Sequence, residues 1–537
     1  ELRIKGDAGM EVRLRHAEIR RPGDSLYMKN LTAHYRPKDT SDPFQTDIFI
    51  LSGKGEEVFM PRFNYKGFQY VEVTADRPFT LTKDALTGWF MHSDVPPVGR
   101  VETSSPLINQ IWQATNNSYL SNLFGYPTDC PHREKNGWTG DAHVAIETAL
   151  YNFDGITVYE KWLADHRDEQ QPNGVLPNIV PTGGWGYHWA NGLDWTSTIA
   201  LIPWQIYLFY GDSRLLFDCY ENIKRYVDYV DHLYPSGLTN WGLGDWIPVK
   251  SKTPVEFTST LYYYTDALIL SRAAKLFGKE KDEAHYTALA EKIKTAFNNK
   301  YLDKDRSMYD EGLQTELSTV LHWGVVPDAL KTGVAAHLAK RVEKDSCRID
   351  VGLLGSKTIL NALSENGYAD LAYTLASRDT YPSWGYWIKH DQATTLYEDW
   401  TAIGTGNETS LNHIMFGEIG AWLYKALGGI HPDPAHPGFS NILLRPHFVK
   451  DLSYSTVTFQ SPYGEISSKW ERKKKDVIYK VTVPPNATAD FSVPSEYRLG
   501  KVKLSTGEVI SLSEKEADVY TLVAGSYEIE CKRKKIK

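Results

Sequence analysis

Long apolar runs are missing from this sequence, and cysteine is scarce. No stretch of about 18 apolar residues occurs, so no helical membrane span is expected. The four cysteines, Cys130, Cys219, Cys347 and Cys531, are scattered along 537 residues and form neither a metal-type spacing nor a disulfide framework. Charge of one sign is not concentrated: 59 Lys and Arg oppose 67 Asp and Glu, for a net of −8. Without a basic stripe, nucleic acid is not an expected partner. The basic tail Lys532 to Lys537 reads as a solvated terminus. There is no initiator methionine and no signal-peptide pattern, and Glu1 to Lys5 already reads as strand. The chain is therefore expected to begin inside a domain, and its oligomeric state is open.

Aromatic residues are what the chain has in quantity. It carries 16 Trp and 33 Tyr, and many of the Trp fall in Gly- and Pro-rich loops. Such residues either pack long loops onto a scaffold or offer a flat face to a ligand such as a sugar ring. Composition leaves these two readings even.

The length exceeds what one core supports, so several domains are expected. Residues 1–102 read as β structure: Glu11 to Arg15 and Phe68 to Thr74 alternate polar and apolar, and turn clusters such as Arg21-Pro22-Gly23-Asp24 separate the runs. A β-sandwich is expected there. From 103 the period changes to that of helices. Ser104-Ser105-Pro106 marks a helix start. Further amphipathic segments follow near 141–152, 155–170, 195–210, 213–234, 255–277, 280–300, 315–323, 328–344, 353–366, 367–378 and 406–426. Short links at Gly211-Asp212 and Gly278-Lys279 alternate with long loops over 125–140, 171–194, 235–254 and 379–405. Short turns between neighbours and long loops gathered at one end suit a toroid of helix pairs, an all-α (α/α)6 barrel over 103–427. Gly428-Gly429-Ile430-His431-Pro432 breaks the last helix, and 428–537 reads as a second, C-terminal β-sandwich.

Two loop clusters carry the chemistry. The first runs from Tyr126 to His143 and holds Asp129, Arg133, Glu134, Trp138 and Asp141. Crowded carboxylates raise one another's pKa, which keeps an acid protonated near neutrality. A solvated loop ending in an Asp141 N-cap explains Asp141 but neither the Trp nor the other acids. The second cluster runs from Tyr381-Pro382-Ser383-Trp384 to Tyr397-Glu398-Asp399-Trp400, with Trp384 as its sugar-facing candidate. A polar cap on a helix end is the alternative. Together the two supply the pair of carboxyl groups that glycosidic hydrolysis requires. No metal or cofactor is needed; His143 and Glu147, four apart, find no third ligand in the sequence. Asp-Trp pairs recur at Asp194-Trp195 and Asp245-Trp246, with helix capping as the alternative for Asp194. His413 suits either a contact to a sugar hydroxyl or packing at a helix start.

These segments resemble the bacterial α-L-rhamnosidases of glycoside hydrolase family 78. DCPHREKNGWTGDAH (129–143) is similar to that family's acid loop. LGDW (243–246), PSWGYW (382–387), ATTLYEDW (393–400), SLNH (410–413) and the upstream PRFNYKGFQYVEV (61–73) follow in the family's order. The resemblance implies an inverting hydrolase on an (α/α)6 barrel, with Glu134 as general acid and Glu398 as general base. It also implies that Asp129, Arg133, Trp138, Asp141, Trp246 and His413 contact the sugar, with Asp194, Trp195 and Asp245 as further contacts. Many members carry an extra residue and a second acid between Arg133 and Gly137; here the run is Glu134-Lys135-Asn136. The further N-terminal sandwich domains usual in the family are not part of this sequence. The expected substrate is a rhamnoside and the expected address the bacterial periplasm or exterior, with the cytoplasm as the alternative. Two other readings are a sugar-binding homologue without catalysis and an (α/α)6 enzyme, hydrolase or lyase, acting on another sugar.

Overall fold

The computed structural model describes residues 1–21, 23, 25–28, 44–401 and 409–534. Pro22 and Asp24 of the first turn cluster, residues 406–408 of the helix expected over 406–426, and residues 535–537 of the basic tail lie outside them.

The N-terminal part is β-rich. Glu11–Ala17 is flanked by Thr46–Ile50 and Tyr70–Ala75, both antiparallel, and Leu2–Lys5 pairs with Glu56–Phe59. The alternation read from the sequence sends Val12 and Leu14 inward and Arg13 outward. Leu2, Ile4, Met10, Val12, Leu14 and Leu51 form a small core of their own.

The middle of the chain is helical, and burial sorts its helices into two sets. Thr198–Tyr210 (TIALIPWQIYLFY) carries no charge and is buried on nearly every side. Glu280–Tyr301 buries only Tyr286, Leu289, Ala290, Ile293 and Phe297, one stripe at helical spacing. Ile146–Asn152, Thr198–Tyr210, Val255–Leu276, Gln314–Trp323, Leu353–Glu365 and Glu418–Trp422 each pack on the next, and the last returns to the first. Ile156–Glu169, Arg214–Leu233, Glu280–Tyr301, Asp328–Lys344 and Ala369–Ala376 lie against them from outside. Gly211 ends Thr198–Tyr210 at φ 71°, a left-handed turn that favours glycine, and lets the chain reverse at once.

The ring is pinned by a buried square of charges. Lys357 Nζ lies 3.2 Å from Glu147 and 3.3 Å from Glu418; Lys425 Nζ lies 3.0 Å from Glu147 and 2.8 Å from Glu418. Each lysine bridges two carboxylates on different helices, so every charge is compensated away from water.

The C-terminal part is again β-rich, with one five-stranded and one seven-stranded sheet. Gly99–Thr103, inside the stretch expected to belong to the N-terminal β unit, instead forms the edge of the seven-stranded sheet by pairing with Tyr454–Ser461. Several helices also differ from expectation: the one expected over 195–210 is broken at Ser197, and a short helix, Trp384–Lys389, lies inside the expected loop 379–405. The segment expected over 141–152 is two helices, Thr139–Val144 and Ile146–Asn152, broken at Ala145. The last helix begins only at Glu418. Before it, Glu398 N–H donates to Ser410 O at 3.0 Å and His413 N–H to Leu396 O at 2.9 Å, so this backbone is bonded across to 396–398 rather than to itself. His413 therefore precedes the helix.

Candidate active site

The loop between Pro106–Ser121 and Thr139–Val144 closes on itself. Asp129 N–H donates to Asn136 O at 3.0 Å, and Asn136 N–H returns to Asp129 Oδ1 at 2.9 Å. The Cys130 thiol donates to Asp129 Oδ2 at 2.8 Å. Gly137 is fixed by a close approach: a Cβ there would stand 2.0 Å from Val180 O. This turn places Trp138 over Glu134, and the indole N–H donates to Glu134 Oε2 at 2.6 Å.

Arg133 turns the other way and meets Glu398. Its Nη2 lies 2.5 Å from Oε1 and 2.6 Å from Oε2 of Glu398, across 265 positions of chain. Ser410 N–H also donates to Glu398 Oε2 at 2.8 Å. The same Nη2 is 3.7 Å from Glu134 Oε1. One guanidinium nitrogen thus stands between the two glutamates, and their nearest oxygens are no more than about 6 Å apart, close enough to address one glycosidic bond.

The surrounding acids outnumber the cations. Asp129 and Asp141 are buried, and both are pushed well above the usual carboxylate range, first by burial and then by the charge of Glu134. Glu398 adds to the effect on Asp141. Both are thereby held toward the protonated form. Burial alone would lower Arg133, but Glu398, Cys130, Glu134 and Asp129 outweigh it and keep the guanidinium charged. His413 lies 3.4 Å from Asp141 through Nδ1, which also accepts the Met415 N–H at 3.3 Å. Nδ1 is thus the acceptor and Nε2 carries the ring proton. Burial lowers His413 to about 4, so it is neutral at neutral pH.

The structure adds a residue that the sequence reading missed. Glu18, in the N-terminal β region, is buried; its Oε2 accepts the Leu411 N–H at 2.8 Å and lies 3.3 Å from His132 Nε2. It touches the loop that carries Glu134 and the segment whose Ser410 amide bonds Glu398. Nothing around Glu18 in the sequence marks it, because its partners are remote in the chain.

Four expected sugar contacts are placed differently. Asp194 is buried, and its oxygens accept from Leu243 N–H at 2.9 Å, Gly244 N–H at 2.8 Å and Ser259 Oγ at 3.1 Å. Asp245 accepts from Gly352 N–H at 2.7 Å, Leu354 N–H at 2.8 Å and Gly355 N–H at 2.9 Å, and so caps the helix Leu353–Glu365 from a distant loop. Their carboxylates are taken up by the scaffold. Trp384 is fully buried, donates to Phe416 O at 3.0 Å and packs edge-on against Trp400. Trp195 is buried beneath Gly140, whose missing Cβ would stand 2.6 Å from the indole. Trp246, by contrast, is 48 % exposed. Among the described residues, no group of three or more His, Cys, Asp or Glu is arranged to hold a metal ion, and no helix is long and apolar enough to cross a membrane.

Two glutamates on either side of an arginine, beside an indole, can protonate a leaving oxygen and deprotonate a water. Comparison with known proteins points the same way. The family model of the bacterial alpha-L-rhamnosidase 6 hairpin glycosidase domain matches residues 96–427. Those of the concanavalin-like and C-terminal domains of bacterial alpha-L-rhamnosidase match residues 1–92 and 429–508. An alpha-L-rhamnosidase of Streptomyces avermitilis is 33 % identical over 92 % of this chain and 47 % of its own length. The structure of an alpha-L-rhamnosidase from Dictyoglumus thermophilum superposes with a TM-score of 0.90 at 33 % identity, over 99 % of this chain and 60 % of that one. The Streptomyces avermitilis enzyme complexed with L-rhamnose gives 0.88 at 31 %, over 98 % and 50 %. The chain spans about half the length of the curated relatives it matches. It belongs to the bacterial alpha-L-rhamnosidase family.

Proposed function

We propose that this chain carries the catalytic apparatus of an α-L-rhamnosidase, which releases terminal α-L-rhamnose from glycosides or plant polysaccharides by a single displacement with inversion. The observation that supports this most directly is Arg133 Nη2 standing between Glu134 and Glu398. The two carboxyls are near enough to act on one bond. Glu134 donates its proton to the leaving oxygen as the bond from that oxygen to the anomeric carbon breaks. Glu398, which Arg133 and the Ser410 amide orient, takes a proton from the water that attacks the opposite face. A relative solved with L-rhamnose supports the choice of sugar.

On this reading the closed ring of helix pairs is an (α/α)6 barrel and the flanking sheets are sandwiches. Asp129, Asp141, Trp138, Trp246 and the neutral His413 contact the sugar. Asp194, Asp245, Trp195 and Trp384 position the loops that carry them. A panel of nitrophenyl glycosides tests the proposal. Turnover is expected with the α-L-rhamnoside; preference for another sugar would overturn it.

A further inference from the structure

A second aromatic surface lies beside the acid. Trp185 and Trp189 stack with ring centroids 5.0 Å apart and an interplanar angle of 30°, and each lies 6.4 Å from Trp138. Trp138 is the residue that donates to Glu134. Trp189 is 58 % exposed and Trp185 half-buried, so the stack opens to solvent. Exposed indoles forgo the gain of burial, and a pair kept side by side at the surface offers an apolar face to a ligand.

The loop is built to hold the stack up. The Tyr187 hydroxyl donates to Glu169 O at 2.7 Å, Asn191 Nδ2 donates to Tyr187 O at 2.8 Å, and Trp185 N–H donates to Thr182 O at 2.9 Å. Gly183 and Gly184 have positive φ, 55° and 94°, and no side chain to crowd the rings. Between Gly183 and Ala190, only Tyr187 and His188 carry hydrogen-bonding side chains besides the indoles, and the Tyr187 hydroxyl is engaged by Glu169. The loop itself offers few partners for the hydroxyls of a sugar; a flat aromatic ring needs none.

We propose that Trp185 and Trp189 form a leaving-group subsite that stacks a flat aromatic aglycone. The inference rests on Glu134 being the general acid. Its proton goes to the leaving oxygen, so an aromatic surface adjoining it through Trp138 is placed to meet the leaving group. An aromatic aglycone extends the indole stack, and the departing hydroxyl stays close to the carboxyl that protonates it.

The test uses 4-methylumbelliferyl α-L-rhamnoside, a rhamnosyl-hexose disaccharide and L-rhamnose as competitive inhibitor, with the whole chain and the variants Trp189→Ala and Trp185→Ala. Each variant is expected to raise KM for the aryl rhamnoside about threefold to tenfold, the range of a lost aromatic pair. The inhibition constant of L-rhamnose should stay as in the parent chain. Unchanged KM for the aryl substrate overturns the proposal. So does weaker L-rhamnose inhibition in step with KM, which would put the indoles at the sugar ring. A KM effect confined to the disaccharide overturns the aromatic assignment. A parent chain that turns over neither substrate and binds no L-rhamnose would sink the rhamnosidase reading itself, which is a separate result. Trp189 is exposed, so its truncation leaves the fold intact and the comparison stands on that variant alone.

Discussion

Glu18 and Leu411 are 393 positions apart, yet the Glu18 carboxyl accepts the Leu411 amide at 2.8 Å. The neighbouring amide, Ser410 N–H, donates to Glu398. The N-terminal β region therefore reaches the segment that holds the proposed base. Glu18 is pushed up to about 8, chiefly by burial, with Glu398 raising it and the Leu411 amide, Arg133 and Ser410 opposing. His132 and Tyr397 also face it.

A pH dependence follows from that shift. An unfolded glutamate releases its proton near 4.5, and this one holds it to about 8 in the folded chain. Over that window the folded state binds the extra proton, so stability present below 4.5 is lost as pH rises toward about 8. Glu18→Gln is expected to flatten this part of the melting temperature against pH, so its advantage over the parent grows from acid to neutral pH. Parallel curves would show that Glu18 ionises normally. Glu18→Ala leaves the Leu411 amide unpaired and should lower kcat by up to roughly 10²-fold through misplacement of Glu398, with Gln restoring much of it.

Glu134→Gln and Glu398→Gln are each expected to reduce turnover of an aryl rhamnoside by roughly 10²–10⁴, the range of a lost acid or base. Full activity in either variant removes that residue from the scheme. Following the released sugar by NMR should show the inverted anomer first. Initial release of the retained anomer would replace the single displacement with a covalent intermediate.

Asp245→Ala should act on stability. It leaves the amides of Gly352, Leu354 and Gly355 without their acceptor at the start of a buried helix. Each buried unpaired donor costs about 1–3 kcal/mol, so a clear fall in the denaturation midpoint is expected. A variant that keeps its midpoint and loses only sugar affinity would make Asp245 a substrate contact after all.

The charge square predicts an asymmetry between one and two substitutions. Lys425→Met leaves Glu147 and Glu418 sharing only Lys357, and breaking such a buried network costs about 3–5 kcal/mol. Replacing Lys425 and Glu418 together by Met and Gln should recover part of that loss. Equal destabilisation by the single and double variants in urea unfolding would show that the charges do not act as a unit.

Much of this molecule was legible before any coordinates. Helix periodicity located most of the helical segments, among them Thr198–Tyr210 within the stretch expected over 195–210, while burial in the fold sorted them into inner and outer sets. Strand alternation did the same for Glu11–Ala17. The acid loop was legible because its chemistry is local: Trp138 reaches Glu134 from four residues away. The strand Gly99–Thr103 was misplaced because its partner, Tyr454–Ser461, lies at the far end of the chain and short-range alternation says nothing about pairing.

The amino-acid sequence by itself determined most of the helical and extended segments, and which loop concentrates acids around an arginine and a tryptophan. Only the tertiary structure decided what those side chains face. Trp384 and Trp189 both lie in aromatic-rich stretches, yet one is fully buried and the other 58 % exposed. Asp194 and Asp245 both precede a Trp, and both are consumed by backbone amides that arrive from other segments. The reason is physical. Local propensity is set by neighbours within a few residues, whereas burial, charge pairing and hydrogen-bond satisfaction are set by whatever the fold brings alongside. Arg133 with Glu398 and Glu18 with Leu411 are joined only there.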